Sequence, residues 1–364
     1  MVEHAADFEW RGEGEAAEVV LYAPDAATAE QGFEQTLPAA GLSGVVSPVY
    51  AASSSSARGF DLGWVAASET HLAPDLFSVP ARGLLLVADT PMGNLGVTPV
   101  EVGDLASCNL SEVTLPRLGA AEIRRAAETG ALWAAEEGLI SEEDLDLFGD
   151  RAVGEPDTLP RRALSAGARD FDRYRRPEIY EVGEILDTER ADVLGLTSGA
   201  LVFSVEAVPE DLGRLALTAH RERILNRVWG ADFGATADLP AAPQGTEEAE
   251  DLLAAARAMA KHADALAALR LYVLRRSLTV QGGLTLRAAW RLGGITQEDS
   301  LLLHRRNLAA VSKGDALLAQ GFVTTGTGAM RAGAPPFSPD SEEEDVWAWE
   351  EAGLLKRVAS LSSV

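Results

Sequence analysis

Residues 246–276, TEEAEDLLAAARAMAKHADALAALRLYVLRR, constrain this chain more than any other stretch. Thr246 stands where a helix N-cap belongs, and Glu247, Glu248 and Glu250 fill the first turn. Arg270, Arg275 and Arg276 fall in the last turns, so both ends carry the charges that complement a helix dipole. The pattern predicts one long helix from Thr246 to about Arg276, and the rest of the chain must fold around it.

Upstream the chain reads as strand-rich. AAEVVLYAP (16–24), LSGVVSPVYAA (42–52) and GLLLVAD (83–89) are β-branched or leucine-rich runs bounded by Gly, Pro and Ser. A helical pair follows: LGAAEIRRAAETGALWAAEEGL repeats apolar residues at helical spacing, and SEEDLDLF opens on Ser141 as a cap with carboxylates behind it. ALVFSVEAV (200–208) and RLALTAH (214–220) are further strand candidates. After Gly282 and Gly283, short strands alternate with turns up to about residue 333. APPFSPDSEEED (334–345) is a polar connector. A last short helix is expected next, with Ser341 and Glu344 as its capping box and Gly353 as its stop. Strands and helices mix without regular alternation, and no dinucleotide-binding glycine fingerprint follows a strand. The expected class is α+β, mixed sheets with packed helices in one large domain. Its boundaries are 1–333 for the core, 334–345 for the connector, and 346–364 for a C-terminal helix and tail packing on the core.

Composition narrows the function classes. No apolar run reaches the roughly 18–20 residues that a membrane helix needs. The start, MVEHAADFEWRGEGE, is acidic and polar rather than a signal or transit peptide, and the one cysteine, Cys108, gives no disulfide framework. A cytoplasmic protein without membrane attachment is the expectation. The net charge of −25 disfavours broad nucleic-acid binding, which rests largely on phosphate neutralisation. Yet residues 257–306 hold nine Arg or Lys against Asp264, Glu298 and Asp299, a local +6 that leaves −31 for the remainder. Two readings stay open, basic residues placed to suit helix ends or a surface for an anionic ligand.

Motifs for common chemistry are sparse. The five histidines (His4, His71, His220, His262, His304) include no His-x-x-x-His pair, and no two lie within 30 residues of each other. A hydrolase elbow G-x-S-x-G is missing, and the serines at 53–56 suit a turn-forming loop. VTTGTGAMRAG (323–333) offers glycine turns with Arg331 nearby, either a simple strand connection or an anion nest. LLLHRRNLAAVSKGD (301–315) sets His304 at the end of an apolar run, followed by Arg305, Arg306 and later Lys313.

Read in order, these segments resemble the RtcB-type RNA ligase family over most of the chain. LYAPDAATAEQGF and GVVSPVYAASSSSARGFDLGW are similar to the family's MPD-H-G-G and G-ISPGGVGYDINCG stretches. GALWAAEEGLISEEDLDLF is similar to GAEWAVE-G-G--EEDL, TSGALVFSV to GSGNHFLE, and LALTAHRERILNRV to V-IHSGSRGLGH. ADALAALR resembles ANFA-ANR, LHRRNLAAV resembles VHRKGATRA, and EEAGLLKRVASLSSV resembles the ending EAG-A--VARL-PL. The family acts in tRNA splicing and RNA repair, joining RNA 3′-phosphate or 2′,3′-cyclic phosphate ends to 5′-hydroxyl ends. It uses GTP and two manganese ions, through a guanylate attached to histidine.

The resemblance implies that His304 is the guanylate-acceptor position, with Arg305, Arg306, Lys313 and Arg270 toward nucleotide or phosphate. It makes Asp61 and His220 remnants of the metal-ligand positions. It also implies losses. Trp64 replaces the cysteine that bridges the metals, Ala200-Leu201 replaces an Asn-His pair, and a further histidine ligand falls near Leu286. Asn307-Leu308 replaces the Gly-Ala after the guanylated motif, and the CHGAGR segment has no counterpart after Gly333. Each manganese keeps one protein ligand where about three are needed. The expected function is therefore a pseudoenzyme of this family with manganese and GTP use lost. The alternatives are an active ligase with a rearranged site, or a non-catalytic protein binding RNA ends or nucleotides.

Overall fold

A computed structural model describes residues 45–50, 64–68, 71–72, 74, 79, 82–91, 118–148, 153–172, 177–227, 242–243, 245–282, 286–288, 294–298, 301–306, 316–319, 321–326, 346–347, 350–351 and 355–364. The strand expected at 16–24 and the connector at 334–345 lie outside these residues, as do Asp61, Cys108 and Lys313.

The core is a seven-stranded sheet. β4 (Arg82–Pro91), β5 (Glu178–Ile185), β6 (Ala200–Ala207), β8 (Leu286–Ala288), β11 (Ala316–Ala319), β12 (Phe322–Gly326) and β13 (Leu355–Ser363) run in the order β11-β12-β13-β5-β6-β4-β8. Every pairing is antiparallel. A four-stranded antiparallel sheet orders β1 (Val45–Tyr50), β2 (Trp64–Ser68), β10 (Leu301–Arg306) and β9 (Gly294–Glu298) as β1-β2-β10-β9. The short β3 (His71–Leu72) and β7 (Ala242–Pro243) pair with each other.

The central strands are apolar on both faces, and the pleat sorts their side chains. From β4, Leu84, Leu86 and Ala88 enter a large cluster with the helices, while Leu85 and Val87 enter a smaller one on the opposite side. From β6, Leu201, Phe203 and Val205 go to the first cluster, Ala200 and Val202 to the second. The helices of the first cluster are α1 (Ala120–Thr129), α2 (Ala131–Glu136), α4 (Arg161–Asp172), α6 (Glu210–Arg227) and α7 (Glu247–Gly282). The short α3 (Glu142–Leu145) follows α2, and α5 (Thr188–Leu194) joins β5 to β6 on the other side. The α+β class is thus observed.

α7 is the expected long helix, extended to 36 residues, or about 54 Å at 1.5 Å per residue. Thr246 Oγ1 accepts from the Ala249 amide at 3.4 Å, which satisfies one first-turn donor. Alanines let neighbours pack close: Ala255, Ala258, Ala265, Ala267 and Ala268 are all fully buried. Ser141 caps α3 as expected. Its Oγ accepts from the Asp144 amide at 3.3 Å, and Asp144 Oδ2 accepts from the Ser141 amide at 2.9 Å. Between α1 and α2 the backbone of Gly130 has φ +63°, and a Cβ there would lie 3.0 Å from Lys261 Cδ on α7. Only glycine meets both demands without strain.

Two expectations are corrected. RLALTAH (214–220) is not a strand but the middle of α6. Leu212, Ala216, His220 and Ile224 recur every fourth residue and are all buried, which is a helical stripe. The start of α6 is fixed from outside, because the carboxylate of Asp170 on α4 accepts from the Asp211 and Leu212 amides at 2.9 and 3.1 Å. At the C-terminus, residues 346–347 and 350–351 are helical, but the tail does more than pack on the core. It becomes β13, inserted between β12 and β5 in the main sheet. Arg357 ties the two pieces together. Its amide and Nε donate to the Glu350 carboxylate at 3.0 and 2.5 Å, and its guanidinium lies 4.9 Å from the Trp347 ring and 5.2 Å from that of Phe322.

Candidate functional site

The segments that carry Trp64 and His304 are far apart in sequence and adjacent in the fold. β10 pairs antiparallel with β2, with Arg306 opposite Trp64, Arg305 opposite Val65 and His304 opposite Ala66. On its other side β10 pairs with β9, where His304 is opposite Ile295. The pleat puts positions 304 and 306 on one face of the sheet with positions 64 and 66, and position 305 on the other. Asp61 precedes β2 by three residues and is not described.

The two other expected site residues that the structure describes sit in the helical layer. His220, on α6, is 5% exposed. Its Nε2 lies 3.2 Å from the Thr158 carbonyl oxygen, which can only accept, so the ring donates through Nε2. Burial lowers its pKa below the ordinary value. The Thr158 carbonyl and Asp251 oppose that shift, and Arg223 adds to it. The imidazole is held as a neutral hydrogen-bonding core residue by elements remote in sequence from β2 and β10. Arg270 is 5% exposed in the middle of α7, flanked by the fully buried Ala268 and Leu271. Among the described residues no three His, Cys, Asp or Glu side chains converge as a metal-ligand group.

Three positions named as losses have described side chains. Leu201 is fully buried and Leu286 is 4% exposed, and both belong to the large core cluster with Phe203, Leu266 and Leu269. Ala200, 1% exposed, sits in the cluster on the opposite face. These side chains have no donor atoms, and they fill the space between sheet and helices.

The basic run 257–306 resolves differently along its length. On α7, Arg257 pairs with Glu155 at 3.2 Å and Arg275 with Asp144 at 2.5 Å. Lys261 lies 4.0 Å from Asp264, which also takes a 2.5 Å bond from Arg82 at the start of β4. Arg257 and Arg275 are thus bound to acids of other elements and Lys261 to one of its own helix, while no basic residue occupies the last turn of α7, so the helix-end reading does not account for these cations. Asp144 shows the electrostatic result. Burial would raise its pKa, but the Arg275 guanidinium and the Ser141 amide and hydroxyl outweigh that and lower it.

Sequence reasoning missed the buried ionic and polar groups that organise the layer: Arg82 with Asp264, and Asp170 at the start of α6. The first pair is separated by 182 residues, and no local pattern signals it. For the second, neither α4 nor the start of α6 was read as helical from the sequence, so the capping of one by the other had no local sign.

No protein-family model matches the chain, and no curated protein matches it. Among the described residues no helix is long and apolar enough to cross a membrane.

Proposed function

We propose that this chain is a divergent RtcB-type protein of the cytoplasm that has lost metal-dependent guanylyl transfer and keeps the family's scaffold as a pseudoenzyme. One observation carries the reading: Leu201 and Leu286, at positions where the resemblance has histidine ligands, are interior residues of one continuous core. A manganese pair does not fit such a residue set. Leucine supplies no lone pair, which leaves His220 as the histidine of that set among the described residues, one ligand where about three are needed. Without metal to align the triphosphate and offset its charge, His304 would be a histidine beside arginines and not an activated nucleophile.

The pairing of β2 with β10 supports the family part of the reading. It joins the two segments that the resemblance makes neighbours, the one that would hold metal and the one that would accept the guanylate. The same pairing favours the alternative of a non-catalytic site for a nucleotide or an RNA end, since His304 and Arg306 share a face of β10. Lys313 and Arg305 belong to that alternative through the resemblance alone.

The deciding experiment is intact-mass measurement after incubation with GTP and manganese. No covalent guanylate adduct is expected. An adduct that disappears in His304→Ala, or two manganese ions bound per chain, would establish the active-ligase alternative instead.

A further inference from the structure

Four helices meet around one histidine that the proposed function does not use. His262 on α7 is fully buried, and apart from the Gly167 backbone its ring nitrogens meet no hydrogen-bonding group at bonding distance. Its Nε2 lies 3.8 Å from Asp170 Oδ2, too far for a hydrogen bond. The Phe171 ring stands edge-on to it at 5.0 Å, and Trp133 of α2 packs against Phe171 at 5.7 Å. How tightly the helices close is seen at Gly167 of α4. A Cβ there would come within 2.9 Å of Leu212 on α6, 3.0 Å of Ile123 on α1 and 3.1 Å of His262 itself.

The charged groups of the packed elements are few. α4 contributes Asp170, whose two oxygens already accept from the Asp211 and Leu212 amides. α6 contributes Asp211, held by Arg169 at 3.0 Å and Arg214 at 3.7 Å. On α7 itself the neighbours are Lys261 and Asp264, the latter bonded to Arg82 of β4. α1 and α2 bring the apolar Ile123 and the indole of Trp133.

We propose that His262 is an acid-responsive latch of the helical layer: when its ring takes up a proton, the α4–α6–α7 junction opens locally and Asp170 releases the first amides of α6. An imidazolium at this position is fully buried, with the Gly167 backbone as its hydrogen-bonding neighbour and the Asp170 carboxylate 3.8 Å away, whereas in an opened junction it is hydrated. The proton therefore binds the open form more tightly. Burial holds the closed-state pKa down at about 4, against the ordinary 6.5 of a histidine, although the Gly167 backbone favours the proton. Between those two values each unit of acidification raises the open-to-closed ratio about tenfold. Opening separates the Asp170 carboxylate from the amides it caps, so the first turn of α6 reports the event. The β6 strand beneath, whose central residues are paired on both sides, does not.

Hydrogen exchange of the whole chain, read on peptides spanning 209–213 and 201–205 and corrected for intrinsic exchange rates, tests this. From pH 6 to pH 5 the opening ratio for 209–213 should rise about tenfold while that for 201–205 stays level. His262→Met should remove the pH response at 209–213, and His262→Gln provides the same test if the methionine variant does not fold. An unchanged response in either variant, a flat response in the wild type, or an equal rise in both peptides would overturn the proposal. Asp170→Asn should speed exchange of 209–213 at every pH.

Discussion

Replacing Leu201 by histidine puts the resemblance's residue type back where this chain has a leucine, and the two readings of that position predict opposite results. Leu201 is fully buried on β6, in the cluster between the main sheet and α7. If it is core, Leu201→His forfeits the burial of a leucine side chain, about 2–3 kcal/mol. It also buries an imidazole among apolar neighbours, where an unsatisfied polar group costs a further 1–3 kcal/mol or so. The sum is about 4 kcal/mol, roughly a thousandfold in the ratio of folded to unfolded chain. Urea unfolding followed by far-ultraviolet circular dichroism reads this directly, for Leu201→His, Leu286→His and the double variant, each with and without manganese. The expected result is a large fall in midpoint for each single variant, more for the double, and no manganese dependence in any. A variant within about 1 kcal/mol of wild type whose midpoint rises with manganese would refute the reasoning, since a ligand that binds the folded state stabilises it by mass action. Residue 201 would then be a vacated ligand position and not a packed one.

Two further outcomes follow from the electrostatics. Arg275→Met should cost about 2 kcal/mol at pH 7 by leaving the largely buried Asp144 carboxylate without its guanidinium. Because the folded-state pKa of Asp144 lies below the ordinary 3.8 of an aspartate, the stability this pair contributes is present above that value and lost as pH falls. The gap between variant and wild type should therefore narrow below about pH 4 in acid unfolding curves. Arg357→Ala should loosen the C-terminal turn by about 1–2 kcal/mol, through the lost stacking on Trp347 and Phe322 and the lost Glu350 contacts. It should also raise proteolytic cleavage near residues 346–351, and unchanged cleavage would show that the turn is held by something else.

What could be read from the sequence was what is local. The long helix announced itself through its cap and the acids of its first turn, although the arginines expected at its far end stop short of the last turn because the helix runs on to Gly282, and Ser141 announced itself as a cap with carboxylates behind it. β4 and β6 were visible as apolar runs because both their faces are buried. α6 was misread for a physical reason: Leu215, Leu217 and Thr218 give a short window the look of a strand, while the stripe that decides the structure, Leu212-Ala216-His220-Ile224, extends beyond it. β13 was missed because a strand at a chain end gains its stability from partners, here β12 and β5, rather than from its own residues. The candidate site was legible only through ordered resemblance. The pairing of 64–68 with 301–306 spans more than two hundred residues and has no signature in either segment.

The charge pattern gains a different meaning once partners are known. A local excess of +6 in an acidic chain suggests a phosphate-binding surface, but on α7 Arg257 and Arg275 face acids of other elements and Lys261 faces Asp264 of the same helix. Those cations hold helices together, and their contribution to an outside field is offset by the acids they meet. Any anion-recognising role for the run must then rest on its end, in β10. There the strand geometry is selective, because a pleated strand sends positions 305 and 306 to opposite faces. One arginine, at 306, shares a face with His304 and with the Trp64 position across the pairing. Two such positions fall far short of the charge neutralisation that broad RNA binding requires, in keeping with the net charge of −25.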